Sequence, residues 1–402
     1  MKFVVFARPP ALFALARRAV LIALARRPVL VALARRPVLF ALALNSACSG
    51  VQRVPSRGND ARLGDAVART APTHTIGRSD TRDPAGPRLA WPATAITAAF
   101  TGTGLDVRLR DAGTNFFAVV IDGRARTPLA TGPAAERYTL ASDLAPGRHT
   151  VTLTKRTESN VGVVQFLGFL PQDGVLLATP EPVATRRIEF IGDSITCGYG
   201  DLATDPKEHF RADTEDETIA YGALTAAALG AERSVIAYSG MGMVRDHLGS
   251  TDSPMPLRFE RTLPDDPTSR WAFDAPPPDV VVVHLGGNDF AMGDPGAAFV
   301  RAYVAFLAVL RARYPDAAIV CALAPMLTDE YPPGAMNRTK AAAYIRGAVE
   351  ERRNAGDRRV SYFAFAAQRP SEGFGADYHP SAATQRRMAQ ELGAALRLLM
   401  GW

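Results

Sequence analysis

Near residues 180–185 the hydrophobic pattern of the chain changes period, and that change limits the folds open to it. Before it, short runs at 96–100, 105–111, 116–123, 137–140 and 149–156 alternate apolar and polar residues. Thr103-Gly104, Asp122-Gly123 and Pro146-Gly147 punctuate them. A period of two sends successive side chains to opposite faces of a strand. Several such strands with no helical period predict an all-β sandwich over 76–182. After the change, apolar runs at 188–192, 234–240, 279–287, 317–325 and 360–365 alternate with helical patterns at 218–231, 294–316, 337–356 and 381–400. Strands apolar on both faces need helices on both sides, which predicts an α/β domain with a parallel sheet over 186–402. In such sheets chemistry sits beyond the carboxyl ends of the strands.

The 402 residues leave room for more than these two domains. The formal charge of +6 suggests a basic protein until it is mapped. Residues 1–47 hold eight Lys and Arg and no acidic residue, so taking those eight from +6 leaves −2 on the rest. No nucleic-acid partner is therefore expected. The same segment repeats ALARRAVLI, ALARRPVLV and ALARRPVLF over 14–40, then runs uncharged through VLFALALNSACSG. Basic residues, an apolar stretch and small residues make a secretory signal, so residues 1–47 are expected to be a leader and the protein exported. Cys48 after Asn-Ser-Ala resembles a bacterial lipoprotein cleavage site, although Leu44 lies one position earlier than the usual leucine. Attachment to a membrane through a lipidated Cys48 is the alternative to free release. Residues 48–75 are polar and weakly patterned, a linker. Beyond Cys48 only Cys197 and Cys321 remain, both in apolar contexts, and they read as small buried side chains. No His or Cys cluster has ligand spacing, so neither metal nor cofactor is expected.

Four short motifs fall at the ends of the predicted parallel strands. Gly192-Asp193-Ser194 follows the first, Ser239-Gly240-Met241-Gly242 the second and Gly286-Gly287-Asn288-Asp289 the third. His379-Pro380 lies in the loop before the last helix, with Ser381 placed to cap it. Each is an ordinary turn when taken singly. Together they offer a hydroxyl, a base and amide donors at one edge of a sheet, the set that acyl transfer needs. Of the six histidines, His74 and His149 belong to linker and sandwich, and His209 and His247 to irregular segments. His284 sits inside an apolar strand, as a core histidine bonded to backbone would, which leaves His379 as the base.

GDS at 192–194, Gly240, GGND at 286–289 and HP at 379–380 resemble the blocks of SGNH (GDSL-type) hydrolases. Over about 310 residues the chain further resembles carbohydrate esterase family two, whose members carry a β-sandwich before that domain. WPATAITAAF, LTKRTE, IEFIGDSITCGYG, YSGMGM and ADYHPS are among the matching stretches. The resemblance implies a flavodoxin-like SGNH domain behind a jelly-roll-like sandwich. It implies Ser194 as nucleophile, His379 as base, and an oxyanion hole made by the N–H groups of Ser194 and Gly240 and the amide of Asn288. Most SGNH enzymes orient the histidine with an aspartate three residues before it; here that position is Ala376, and Asp377 lies two before. Asp377 is the expected third member of a triad, a Ser-His dyad helped by a backbone carbonyl being the other arrangement. Asp193 and Asp289 are expected to shape their turns. Tyr199, Phe290 and Tyr378 adjoin the motifs and offer rings for stacking on a sugar, with packing the competing role.

The activity implied is removal of O-acetyl groups from plant-wall polysaccharides such as xylan and glucomannan. An SGNH esterase, thioesterase or lipase acting on non-carbohydrate esters is a second reading, against which no long apolar lid is visible. A carbohydrate-binding protein with an inactive hydrolase half is a third, and the intact Ser194, Gly240, Asn288 and His379 count against it.

Overall fold

The computed structural model describes residues 73–178 and 184–402. The leader, Cys48, the linker as far as residue 72 and most of the 179–185 join lie outside the described residues.

Alternating patterns build two antiparallel sheets. One runs His74–Ile76, Ala95–Gly102, Gly147–Lys155, Phe116–Ile121 and Arg124–Ala125, with Leu176–Leu177 and Leu129–Ala130 added at its flanks. The other runs Ser79–Asp80, Arg88–Leu89, Val164–Gln172, Gly104–Asp111 and Arg137–Ala141. Every second residue points inward: Ile96, Ala98 and Phe100 from one sheet meet Leu105, Val107 and Leu109 from the other. Two features differ from the sequence reading. His74–Ile76 pairs with Ala95–Gly102, so the sandwich begins inside the segment read as linker. Val164–Gln172 is a central strand hidden by Gly168 and Pro171, where a bulge between Phe166 and Gly168 breaks the alternation.

Beyond residue 184, five parallel strands lie in the order Glu232–Ala237, Arg187–Gly192, Val280–His284, Ala318–Leu323, Val360–Ala364. This is the flavodoxin-type order 2-1-3-4-5. The alternation lost in a fully apolar strand reappears as a division between two cores. Val281 and Val283 pack with Phe299, Tyr303 and Phe306 of helix Ala297–Arg313 and with Ile345 of helix Asn337–Asn354. Val280 and Val282 pack with Tyr221 of helix Tyr221–Leu229 and with Met388 and Leu392 of helix Ala382–Met400. Strand order reverses at Arg187–Gly192, so a crevice opens at the carboxyl ends of that strand and its two neighbours.

The sandwich is keyed into this second domain by side chains. Trp91 is fully buried in the same core as Ile191 and Phe259, and its indole N–H reaches the Arg261 carbonyl at 3.3 Å. Arg78, also buried, bonds the Phe259 carbonyl, lies over the Phe259 ring at 4.8 Å and stands 3.5 Å from Glu189. Cys197 and Cys321 are free and buried.

Candidate active site

Gly192 closes the first parallel strand, and the position must be glycine because a Cβ there would lie 2.0 Å from the Thr196 hydroxyl. The chain turns at once into the short helix Ser194–Cys197, capped by Asp193, whose carboxylate accepts from the Ile195 N–H at 3.1 Å. Burial pushes the Asp193 carboxyl up to about 7. The turn leaves Ser194 Oγ facing the crevice, 2.8 Å from His379 Nε2.

His379 Nδ1 lies 3.0 Å from the Ala376 carbonyl oxygen. A carbonyl can only accept, so Nδ1 carries the proton and Nε2 presents its lone pair to the serine hydroxyl. Burial lowers the imidazole to about 4, against a smaller opposing effect of the Ala376 carbonyl, so the ring is neutral and ready to take a proton.

Asp377 does not take the place expected of a triad member. Its carboxylate accepts from the Tyr199 hydroxyl at 2.7 Å and bonds His209 Nδ1 at 2.8 Å, while the Ala376 carbonyl holds the imidazole. The cause is local: Asp377 and Tyr378 both have left-handed backbone, φ +50° and +61°. That turn brings the Ala376 carbonyl under the ring and carries the Asp377 side chain away from it.

The donors gather opposite. Gly240 follows the second strand with φ +78°, where a Cβ would meet the His247 ring at 2.5 Å. Among the described residues, no acceptor lies against the backbone N–H of Ser194 or of Gly240. The Asn288 side-chain amide donates to the Met241 carbonyl at 3.0 Å and to Asp193 Oδ2 at 3.3 Å. Asp289 accepts from the N–H groups of Met243, Val244 and Arg245 at 2.8, 2.8 and 3.3 Å, so it fixes the neighbouring 243–245 segment, where the sequence reading had it shaping its own turn.

Residues 75–180 match the family model for the carbohydrate esterase 2 N-terminal domain, and 190–387 that of the GDSL-like lipase/acylhydrolase family. A solved family two carbohydrate esterase from Clostridium thermocellum, in complex with cellohexaose, is 37% identical. Its TM-score is 0.77, and the match covers 82% of this chain and 100% of that one. This chain belongs to carbohydrate esterase family two. Among curated proteins, cellulase/esterase CelE of Acetivibrio thermocellus is 38% identical over 81% of this chain, which spans 39% of that protein's length. An acetylxylan esterase/glucomannan deacetylase of Cellvibrio japonicus is 28% identical, over 89% of this chain and 96% of its own.

The aromatic residues beside the family's motifs divide three ways. Tyr199 stacks on the His379 ring at 4.2 Å between centroids, so it braces the base. Phe290 is 3% exposed and packs against Phe299, which corrects the expectation that it meets sugar. Tyr378 is 52% exposed, tilted against Phe374, and remains open to a ligand. His284 differs in detail from its reading: buried among the rings of Tyr221 and Phe365, it meets the Thr196 hydroxyl at 3.4 Å rather than backbone, and burial lowers it to about 3. Sequence reasoning allowed for a backbone carbonyl behind the imidazole without assigning it to Ala376, and it missed the His209 contact and Glu158. The last was on view within LTKRTE without a role.

Proposed function

We propose that this chain is a serine esterase removing O-acetyl groups from plant-wall-type polysaccharide. The observation that carries the reading is the 2.8 Å contact between Ser194 Oγ and the unprotonated Nε2 of a neutral His379, with the backbone N–H groups of Ser194 and Gly240 unengaged among the described residues. Ser194 Oγ attacks the acetyl carbonyl carbon as His379 Nε2 takes its proton. The carbonyl oxygen becomes an oxyanion received by the N–H groups of Ser194 and Gly240 and by Asn288. Collapse expels the sugar oxygen, which leaves with the proton from Nε2, and the acetyl group stays on Ser194. Water, deprotonated by the same nitrogen, then releases acetate and restores the serine. During the step the Ala376 carbonyl holds Nδ1–H and steadies the imidazolium.

The polysaccharide substrate is supported by the acetylxylan esterase/glucomannan deacetylase relative and by the cellohexaose complex of the solved family member. Export is part of the proposal, since the polymer lies outside the cell and residues 1–47 have the composition of a leader. Acetate release from acetylated xylan, acetylated glucomannan and an aryl acetate tests it, with the Ser194→Ala variant as control. Turnover of the aryl ester without release from either polymer would overturn the carbohydrate assignment. Equal activity in the Ser194→Ala variant would overturn the mechanism.

A further inference from the structure

The sandwich places a buried carboxylate, Glu158, behind the loop that bears Gly240. Strand Gly147–Lys155 ends at Lys155, and the next three residues leave the sandwich to dock on residues 215–217 of the other domain. Arg156 Nη2 donates to the Glu215 carbonyl at 3.1 Å, and its Nε stands 3.1 Å from Asp216. The Glu158 N–H donates to Glu215 Oε2 at 3.0 Å. Glu158, Glu215 and Lys155 have no exposed surface. Carboxylates withdrawn from water are costly unless they are paired and bonded. Lys155 Nζ spends its bonds on the carbonyls of Thr157 and Glu158, at 2.7 and 3.0 Å. Glu215 Oε1 has no donor among the described residues. Burial raises both carboxyl groups, the direction that favours a retained proton over two buried charges.

Glu158 faces Ser239. Its Oε2 accepts the Ser239 backbone N–H at 2.7 Å, and its Oε1 meets the Ser239 hydroxyl. Ser239 immediately precedes Gly240, whose backbone is left-handed and whose N–H faces no acceptor among the described residues. We infer that Glu158 is a positioning residue for the oxyanion hole, gripping Ser239 at two points and so aiming the Gly240 N–H. Other contacts hold the far side of the same turn: the Asn288 amide on the Met241 carbonyl, and the His247 N–H on the Gly240 carbonyl at 2.9 Å. On the near side the grip comes from the sandwich. The assignment rests on reading Gly240 N–H as an oxyanion donor, and it makes the first domain part of the chemistry.

The test is steady-state hydrolysis of an aryl acetate by the full chain and its Glu158→Ala, Glu158→Gln and Ser239→Ala variants, with thermal melting alongside. Glu158→Ala is expected to lower kcat about 10- to 100-fold with KM within about twofold. That is less than the 10²–10³ typical of deleting a donor outright, because the N–H remains but is misaimed. Glu158→Gln is expected to recover most of the loss, since an amide can accept the Ser239 N–H and donate to its hydroxyl. If the alanine variant fails to fold, Ser239→Ala removes only the hydroxyl half, and its kcat is expected to fall about three- to tenfold at unchanged KM. A folded Glu158→Ala or Ser239→Ala enzyme with wild-type kcat would overturn the inference, as would equal losses in the glutamine and alanine variants. Asn288→Ala, assayed beside them, separates the two layers. If it loses turnover while the Glu158 variants do not, only the positioning role falls; if none of them loses turnover, the oxyanion-hole reading falls too.

Discussion

The role proposed for His379 as a base rests on what surrounds it, and two of its properties can be measured. Its imidazole is lowered to about 4 by burial, so the proton-free form persists well below the ordinary histidine range. Since kcat/KM reports the free enzyme, its acid limb is expected near pH 4 rather than near 6.5. A limb at the ordinary value would mean that the ring is hydrated in solution. The second property concerns Asp377, whose carboxylate bonds Tyr199 and His209 and leaves Nδ1 to a carbonyl. Asparagine can still accept the tyrosine hydroxyl, so Asp377→Asn is expected to cost about tenfold or less in kcat, about one hydrogen bond by rate arithmetic. A loss of about a thousandfold would show that the carboxylate swings onto the ring during turnover. Left-handed backbone costs roughly 1–2 kcal/mol per non-glycine residue, and Asp377 and Tyr378 are two such residues in succession. Three backbone bonds around them offset that strain. They run from Gly375 N–H to the His379 carbonyl, from Ala376 N–H to that of Gly200 and from Asp377 N–H to that of Glu208, at 2.8, 3.0 and 2.9 Å.

At the scale of elements, the site is a set of strand ends. The loop after Val280–His284 supplies Asn288, whose amide ties to Met241 in the neighbouring loop and is proposed to receive the oxyanion. Asn288→Ala is expected to lower kcat by about two to three orders of magnitude with little change in KM, because the lost bond strengthens as the oxygen gains charge. A rise in KM alone would make Asn288 a substrate-positioning group. What could be read from the sequence follows the same geometry. The positions of Ser194, Gly240, Asn288 and His379 were legible because each lies within a few residues of a strand end or a helix start, where local pattern shows the boundary. The Ala376 carbonyl was not, since it depends on a left-handed Asp377 that no local residue preference demands. Val164–Gln172 was hidden by its own glycine and proline. Glu158 lies 81 residues from the Ser239 it touches, and no periodicity links positions that far apart.

For the whole molecule, the two domains share a core. Trp91 and Arg78 fill space among Ile191, Phe259 and Glu189, and Glu158 holds Ser239 beside Gly240. Residues 186–402 expressed alone are therefore expected to be poorly soluble, with apolar surface around Phe259 uncovered, and to lose turnover in whatever fraction folds. A soluble fragment with the full chain's kcat would refute this integration.

Ser194 and His379 are 185 residues apart in sequence, yet their side chains must meet within one hydrogen bond. Contacts that distant form late, because the intervening chain loses its freedom before they return any stabilisation. Helices can reappear early in refolding while the nucleophile still lacks its base. Recovery of ester hydrolysis should then lag behind recovery of helical circular dichroism, which makes the first turnover a clock for completed assembly. A chain emerging from the ribosome carries its serine long before its histidine, and it stays chemically silent until the last loop is delivered.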